Sequence, residues 1–210
     1  MALSSQWVRD WVARSAQHIS DNRTELIRLD REIGDGDHGE NMDRGFKAVS
    51  AKVGELPADA SPSDVLKTVA TTLISTVGGA SGPLYGTAFL KASQAVKDHA
   101  ELDSAAVVDM LRAARDGIVS RGKAEVGDKT MVDAWSPAVQ AAEDALAQEA
   151  TEQQVLAAAA DAAKAGSEKT DPLIARKGRA SYLGERAIGH RDPGSVSSAL
   201  LLMAAAEVSA

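Results

Sequence analysis

The sequence predicts an all-α fold, a barrel or bundle of about eight antiparallel helices, and three observations carry that prediction. Hydrophobic residues make up 44% of the 210 positions but aromatics only 3%, so alanine, the best helix former, carries much of the apolar content. Apolar residues recur at helical spacing along the chain, whereas clusters of Val, Ile, Tyr and Phe suited to strands are scarce. No Pro/Gly/Ser-rich linker and no repeat of fixed period divides the chain, which reads as one domain over 1–210 with short helix-to-helix links.

The elements follow in order. Trp7, Val8, Trp11, Val12 and Ile19 share one helical face. Ser61-Pro62-Ser63-Asp64 is a helix start: Ser61 caps and Pro62 suits the first helical position. Val65, Val69, Leu73 and Val77 then repeat every four residues. Asp103-Ser104 and Thr151-Glu152 offer two further starts. Val107, Leu111, Ala114 and Ile118 form another stripe, as do Trp135, Val139, Ala142 and Leu146.

Charge and composition exclude several classes. A net charge of −7 argues against a nucleic-acid surface. The absence of cysteine removes disulfides and thiolate metal sites and fits a reducing cytoplasm. The first residues alternate charge with Trp and do not read as a signal peptide. The uncharged run from Pro193 to Ala206 is too short to span a bilayer, so no membrane role is expected.

Four segments break the helical rhythm, Gly34–Gly39, Gly78–Gly86, Gly122–Met131 and Arg176–Gly194, and we expect them to converge at one end of the bundle. The first is the most informative. Asp30, Asp35 and Asp37 repel one another unless a hard cation neutralises them, and carboxylates are preferred Mg²⁺ ligands. On a continuous helix Asp30 and Asp35 would point about 140° apart. Gly34 is expected to end the helix in a left-handed conformation, so that the chain folds back and the three carboxylates meet. A solvated acidic helix end is the bland alternative, but it opposes the helix dipole. A calcium EF-hand loop needs Glu about 12 residues on, where this chain has Phe46. His38 and Asn41, at the start of a helix expected over about 40–53, can offer donors to a phosphate; His38 alone would read as a structural histidine.

The second segment, Gly78-Gly79-Ala80-Ser81-Gly82-Pro83, suits a phosphate nest before a helix, or equally a tight turn between packed helices. It lacks the Gly-Lys-Ser/Thr ending of a Walker loop, and no strand followed by GxGxxG is present. The third, Arg121 to Met131, reads by itself as a charged surface turn. The fourth is locally basic. Lys177 and Arg191 read as solvated charge, while Arg179, between small residues, is the choice for a phosphate contact. Asp192-Pro193-Gly194 is a turn before the last helix.

Taken in order, Gly34-Asp35-Gly36-Asp37-His38-Gly39 with Asn41-Met42 and Arg44-Gly45-Phe46, then Gly78 to Pro83, Gly127-Asp128-Lys129-Thr130-Met131, Gly178-Arg179-Ala180-Ser181-Tyr182-Leu183-Gly184-Glu185-Arg186 and Asp192-Pro193-Gly194, the chain resembles the nucleotide-binding L subunits of dihydroxyacetone kinases over nearly its whole length. No departure from the pattern occurs at these positions. The resemblance implies an eight-helix barrel with ADP or ATP and Mg²⁺ at one end. It implies Asp30, Asp35 and Asp37 as metal ligands with a catalytic role shared by Arg179. It places the nucleotide against His38, Gly39, Glu40, Asn41, Ala80, Ser81, Gly122, Met131, Arg179, Asp192, Pro193 and Gly194.

The implied activity is phosphoryl transfer from bound nucleotide to dihydroxyacetone held on a partner subunit, this chain being half of an active site. Stand-alone length favours the version in which ADP is retained and recharged by a phosphohistidine protein of the phosphoenolpyruvate phosphotransferase system. The alternatives are an ATP-dependent subunit for another small ketose such as a tetrulose, and an ADP-sensing module that docks onto a transcription regulator and transfers nothing.

Overall fold

The structure, a computed structural model, describes residues 2–209. Nine α-helices occur among them: α1 (Ser5–Asp21), α2 (Arg23–Ile33), α3 (His38–Gly54), α4 (Pro62–Thr76), α5 (Ser81–Ala95), α6 (Ser104–Gly122), α7 (Val132–Ala147), α8 (Glu152–Glu168) and α9 (Pro193–Glu207). A 3₁₀ segment, Arg179–Ala187, lies between the last two. The one β-type contact among the described residues is an isolated bridge, in which the backbones of Leu3 and Leu102 exchange two hydrogen bonds of 2.8 Å. Among the described residues no helix is long and apolar enough to cross a membrane.

Eight helices close a ring. Each of α3 to α9 packs on the next, and α1 joins α9 to α3. The ninth, α2, packs against α3 and α9 beside the ring. A count of about eight thus matches the ring and misses α2. It follows α1 after the single residue Asn22, whose backbone N–H and side-chain amide both bond to His18 O, so no Gly or Pro marks the break. The helix foreseen over about 40–53 begins two residues earlier, at His38.

The ring is filled by the stripes read from sequence. Val65, Val69, Leu73, Val107, Leu111, Ile118 and Val139 are buried, and Leu146 is half-buried. Trp11 stacks on Trp7 at 5.4 Å between ring centroids and tilts against Phe89 at 5.5 Å. The indole N–H groups of Trp7 and Trp11 donate to Ala205 O and Leu201 O, which ties α1 to α9. Small buried residues elsewhere, such as Ala88, Ala138, Ala159 and Ala204, let helices approach closely around these few large side chains.

Side-chain caps serve the helix starts at one end, while at the other only α9, capped by Asp192, has one from its N-cap residue. At the end marked by the Leu3–Leu102 bridge, Ser4, Ser61, Asp103 and Thr151 cap α1, α4, α6 and α8 through their own side chains, with full capping boxes at Ser61/Asp64 and Thr151/Gln154. At the opposite end α3, α5 and α7 begin with no side-chain cap bond from their N-cap residues.

Candidate active site

The uncapped helix starts surround a cavity of about 540 Å³, lined also by the C-terminus of α6, the start of α9 and the first residues of the 3₁₀ segment. The four loops expected to converge do so here, at one end of the ring.

The aspartates are organised by one fold-back. Asp30 sits in the last turn of α2, buried, and its Oδ2 accepts from Asp37 N at 2.8 Å and His38 N at 3.1 Å. This carboxylate thereby serves the first N–H groups of α3, which Asp37 does not cap. The turn is not made as expected. Gly34 has φ −147°, outside the left-handed region, and the left-handed residue is Gly36 at φ +76°. Gly34 is required for space instead: a Cβ there would stand 2.2 Å from Asp30 Oδ1. The result brings one carboxylate oxygen from each of Asp30, Asp35 and Asp37 within 4.8 Å of one another. Three hard oxygen donors with exposed faces on Asp35 and Asp37 fit a cation that keeps water or phosphate in its shell, as Mg²⁺ does.

Beside them lies a backbone nest. The N–H groups of Gly79, Ala80, Ser81 and Gly82 have no protein acceptor among the described residues, and Gly79 turns at φ +65° to open α5. Free N–H groups at a helix start form an anion site. Both readings open for this loop hold: the N–H groups form a nest, and the turn packs tightly, since a Cβ on Gly82 would stand 2.2 Å from Val77 O and one on Gly86 2.2 Å from Ile74 Cγ1.

A buried hydroxyl network fixes the helix starts relative to one another. His38 Nδ1 lies 3.2 Å from Ser81 Oγ and its Nε2 lies 2.9 Å from Ser197 Oγ. Burial pulls the His38 pKa down to about 4 against the opposing pull of Asp30 and Asp37, so the ring is neutral near pH 7. With both nitrogens engaged, His38 joins α3, α5 and α9 and reaches the cavity through Ser81. Tyr85 O–H continues the chain to Ser197 Oγ at 2.6 Å, Ser198 Oγ at 2.9 Å and Gly194 O at 3.1 Å; burial pushes its pKa up.

The third loop departs from the surface turn foreseen for it. Asp128, Lys129 and Asp133 are buried. Asp133 accepts from Gly127 N at 2.6 Å and Thr130 N at 2.8 Å, holding the loop shut, while Lys129, at φ +61°, is 1% exposed. Lys129 Nζ donates to Thr170 O at 2.7 Å and Asp171 O at 3.3 Å, just past the C-terminus of α8. Asp192 caps α9 through Ser195 N at 2.6 Å. Burial pushes its carboxyl up to about 7, with Asp133 and Asp30 adding to the rise and Lys129 reducing it.

In the fourth loop, Arg179 Nη2 lies 2.9 Å from Asp35 Oδ2, its side chain 70% exposed, so the candidate phosphate contact stands against the acidic cluster. Lys177 lines the cavity mouth, exposed. Arg191 is not solvated charge but bonds both oxygens of Asp171 at 2.9 Å. Ala175, Ala180 and Ala187 seat this strap on Ile33 of α2.

Of the residues singled out from sequence, Asp30, Asp35, Asp37, His38, Asn41, Ala80, Ser81, Gly122, Met131, Arg179, Asp192, Pro193 and Gly194 line the cavity. Gly39 and Glu40 do not. Gly39 faces α2, where a Cβ would meet Arg23 O at 2.3 Å, and Glu40 is exposed and paired with Arg23. Residues not foreseen are Lys129, Tyr85 and Ser197. Tyr85 falls in the Gly78–Gly86 segment expected to break the helical rhythm but lies inside α5, and Ser197 lies inside α9. For Lys129 the only available signal was its place between Gly127 and Thr130 in a loop that breaks the helical rhythm.

A family model described as the DAK2 domain matches residues 32–207. The chain is 46% identical over 197 residues to the ADP-binding subunit DhaL of the PEP-dependent dihydroxyacetone kinase of Escherichia coli (strain K12), covering 94% of this chain and 93% of the relative. It is 38% identical to the L-erythrulose 1-kinase of Mycolicibacterium smegmatis, covering 91% of this chain but 33% of that protein. The crystal structure of the dihydroxyacetone kinase from C. freundii in complex with AMP-PNP and Mg²⁺ superposes with a TM-score of 0.74 at 28% identity, over 99% of this chain and 34% of that one.

Proposed function

This chain belongs to the DAK2 domain family, and we propose that it is the ADP-binding subunit of a PEP-dependent dihydroxyacetone kinase. Its nucleotide passes a phosphoryl group to dihydroxyacetone held on a partner subunit. ADP stays bound and is recharged by a phosphohistidine protein of the phosphotransferase system. Residues 1–210 serve as one nucleotide-binding domain in the cytoplasm, where phosphoenolpyruvate is made.

The observation that carries this reading is the juxtaposition of three carboxylate oxygens within 4.8 Å with the acceptor-free N–H groups of Gly79 to Gly82. The nest holds phosphate oxygens, and Ser81 adds its hydroxyl, oriented by His38. Asp30, Asp35 and Asp37 hold the cation. Bound there, Mg²⁺ neutralises phosphate charge. Leu84, Ile118, Met131 and Val132 supply an apolar wall suited to a base. Arg179, on an exposed strap at the mouth, is placed to balance charge that grows on the transferred group. Transfer then rests on positioning and electrostatics, with no protein base required on this chain.

The match to about a third of a longer ketose kinase supports an acceptor site on other residues than these, and keeps a tetrulose as the second reading. Assay of the complex against both ketoses separates the two. Docking of the ADP-loaded form onto a transcription regulator is tested by pull-down with and without ADP.

The direct test is native mass spectrometry of the freshly purified protein. A mass excess equal to ADP plus Mg²⁺, lost on chelation, is expected. A bare chain that exchanges added ATP freely supports the ATP-dependent version, and one that binds neither nucleotide overturns the proposal.

A further inference from the structure

Lys129 is the one buried cation of the cavity wall among the described residues; Arg121, Lys177 and Arg179 on the same wall are exposed. Its ammonium group bonds two backbone carbonyls, Thr170 O and Asp171 O, and forms no ion pair among the described residues. Burial pulls its pKa down, the expected response of a desolvated ammonium, although Asp192, Asp171 and Asp133 favour the charged form. A structural pin between two carbonyls needs donors, not a net charge, and a neutral donor would avoid the cost of desolvating an ion. Asp192, Asp171 and Asp133 act on the ammonium from beyond ion-pair contact, which leaves it open to a further anion.

The cavity provides the place for one. A charge held away from water acts through a low effective dielectric, whereas the three exposed cations are screened by solvent and salt. From these observations, and resting on the nucleotide reading above, we propose that Lys129 is an electrostatic specificity determinant. Its fixed charge makes the site prefer nucleoside polyphosphates over the uncharged nucleoside. It acts through its field on the phosphates, without holding the base.

The test compares dissociation constants for ADP, AMP and adenosine at one fixed Mg²⁺ concentration, in the wild type, Lys129→Met and Lys129→Arg. Lys129→Met keeps the length of the side chain and removes the charge. It is expected to weaken ADP by about tenfold or more and AMP by less, with adenosine within about twofold of wild type. Lys129→Arg is expected to keep the wild-type ratio of ADP to adenosine affinity. An equal loss for all three ligands in Lys129→Met would reduce Lys129 to a pin and overturn the proposal. Failure of the wild type to bind ADP would instead remove the nucleotide reading on which it rests.

Should Lys129→Met not fold, as judged by thermal unfolding, the wild type alone decides. An ADP affinity that changes little between about 0.05 and 0.5 M KCl supports a buried charge. A steep fall assigns the selection to the exposed Arg121, Lys177 and Arg179 and overturns it.

Discussion

Gly34→Ala is the smallest change that should disable the acidic cluster. Its φ of −147° lies outside the left-handed region, so handedness is not what calls for glycine here. The obstacle is steric: the new methyl would stand 2.2 Å from Asp30 Oδ1 and 3.0 Å from Asp30 O. The carboxylate must swing away, and its Oδ2 then loses Asp37 N at 2.8 Å and His38 N at 3.1 Å. Hydrogen bonds to a charged group contribute about 1.5–3 kcal/mol each, so the variant forfeits about 3–6 kcal/mol or rebuilds the 34–37 turn without the cluster. Either way, Mg²⁺-dependent ADP affinity should fall by about a hundredfold or more. Calorimetric titration of ADP with and without Mg²⁺ measures this, with circular dichroism to confirm that helix content persists. Gly36→Ala is the control. At φ +76° it strains the backbone by about 1–2 kcal/mol, but the Cβ meets only the flexible Arg31 side chain, so the loss should appear mainly as stability. Wild-type Mg²⁺–ADP affinity in Gly34→Ala would refute the assignment of Asp30 as the keystone.

Three further outcomes are expected. Arg179→Ala should lower turnover with the partner subunits more than it lowers nucleotide affinity, and should leave thermal stability nearly unchanged because the side chain is 70% exposed; unaltered turnover would remove its role. Asp192 binds its proton up to about pH 7 in the folded chain but only to about pH 4 when unfolded, so its contribution to stability declines as pH rises from 4 to 7. Asp192→Asn, which can still cap α9, should abolish that decline; because His38 contributes the opposite slope in both proteins, the difference between their urea midpoints against pH isolates Asp192, and parallel curves would refute the shift. Tyr85→Phe removes the hydroxyl shared by Ser197, Ser198 and Gly194 O and should cost about 1–3 kcal/mol in denaturant unfolding, whereas a change under about 0.5 kcal/mol would mean that the network relaxes around the loss.

The parts of the fold legible in sequence were those written in local physics. The stripes at Val65 to Val77 and Val107 to Ile118 recur at helical spacing because each faces one core, and Ser61-Pro62-Ser63-Asp64 announces its helix through bonds made within four residues. The candidate site was legible to the extent that its residue types are unusual: three aspartates among glycines have few uses. What escaped was set by contacts between distant segments. Lys129 looks like any loop lysine until Thr170 and Asp171, some forty residues on, close over it. Gly39 and Glu40 follow His38 directly, yet helical rotation turns them toward Arg23 and away from the cavity. Gly34 was read as the left-handed residue when that role belongs to Gly36, because spacing alone does not distinguish a glycine needed for its dihedral from one needed for its missing side chain.

The distribution of caps explains why such a site sits where it does. A side-chain cap contributes about 1 kcal/mol, and this sequence supplies one at Ser4, Ser61, Asp103 and Thr151, at every helix start on the end away from the cavity. On the cavity end Asp192 caps α9, and although the N-cap residues of α3, α5 and α7 make no such bond, the Thr130 hydroxyl accepts from Val132 N at 3.2 Å in the first turn of α7. At α3 the deficit is met by Asp30, so the same carboxylate that orders the acidic cluster completes a helix. At α5 the deficit is left open, and the N–H groups from Gly79 to Gly82 point to a ligand. A ligand that satisfies them adds stability only to the folded state, so binding and folding become linked through these ends. Adding a cap to α5 would therefore stabilise the empty protein by the means that weaken its hold on phosphate, which is a physical reason for a helix former as rich in capping residues as this chain to leave that end bare.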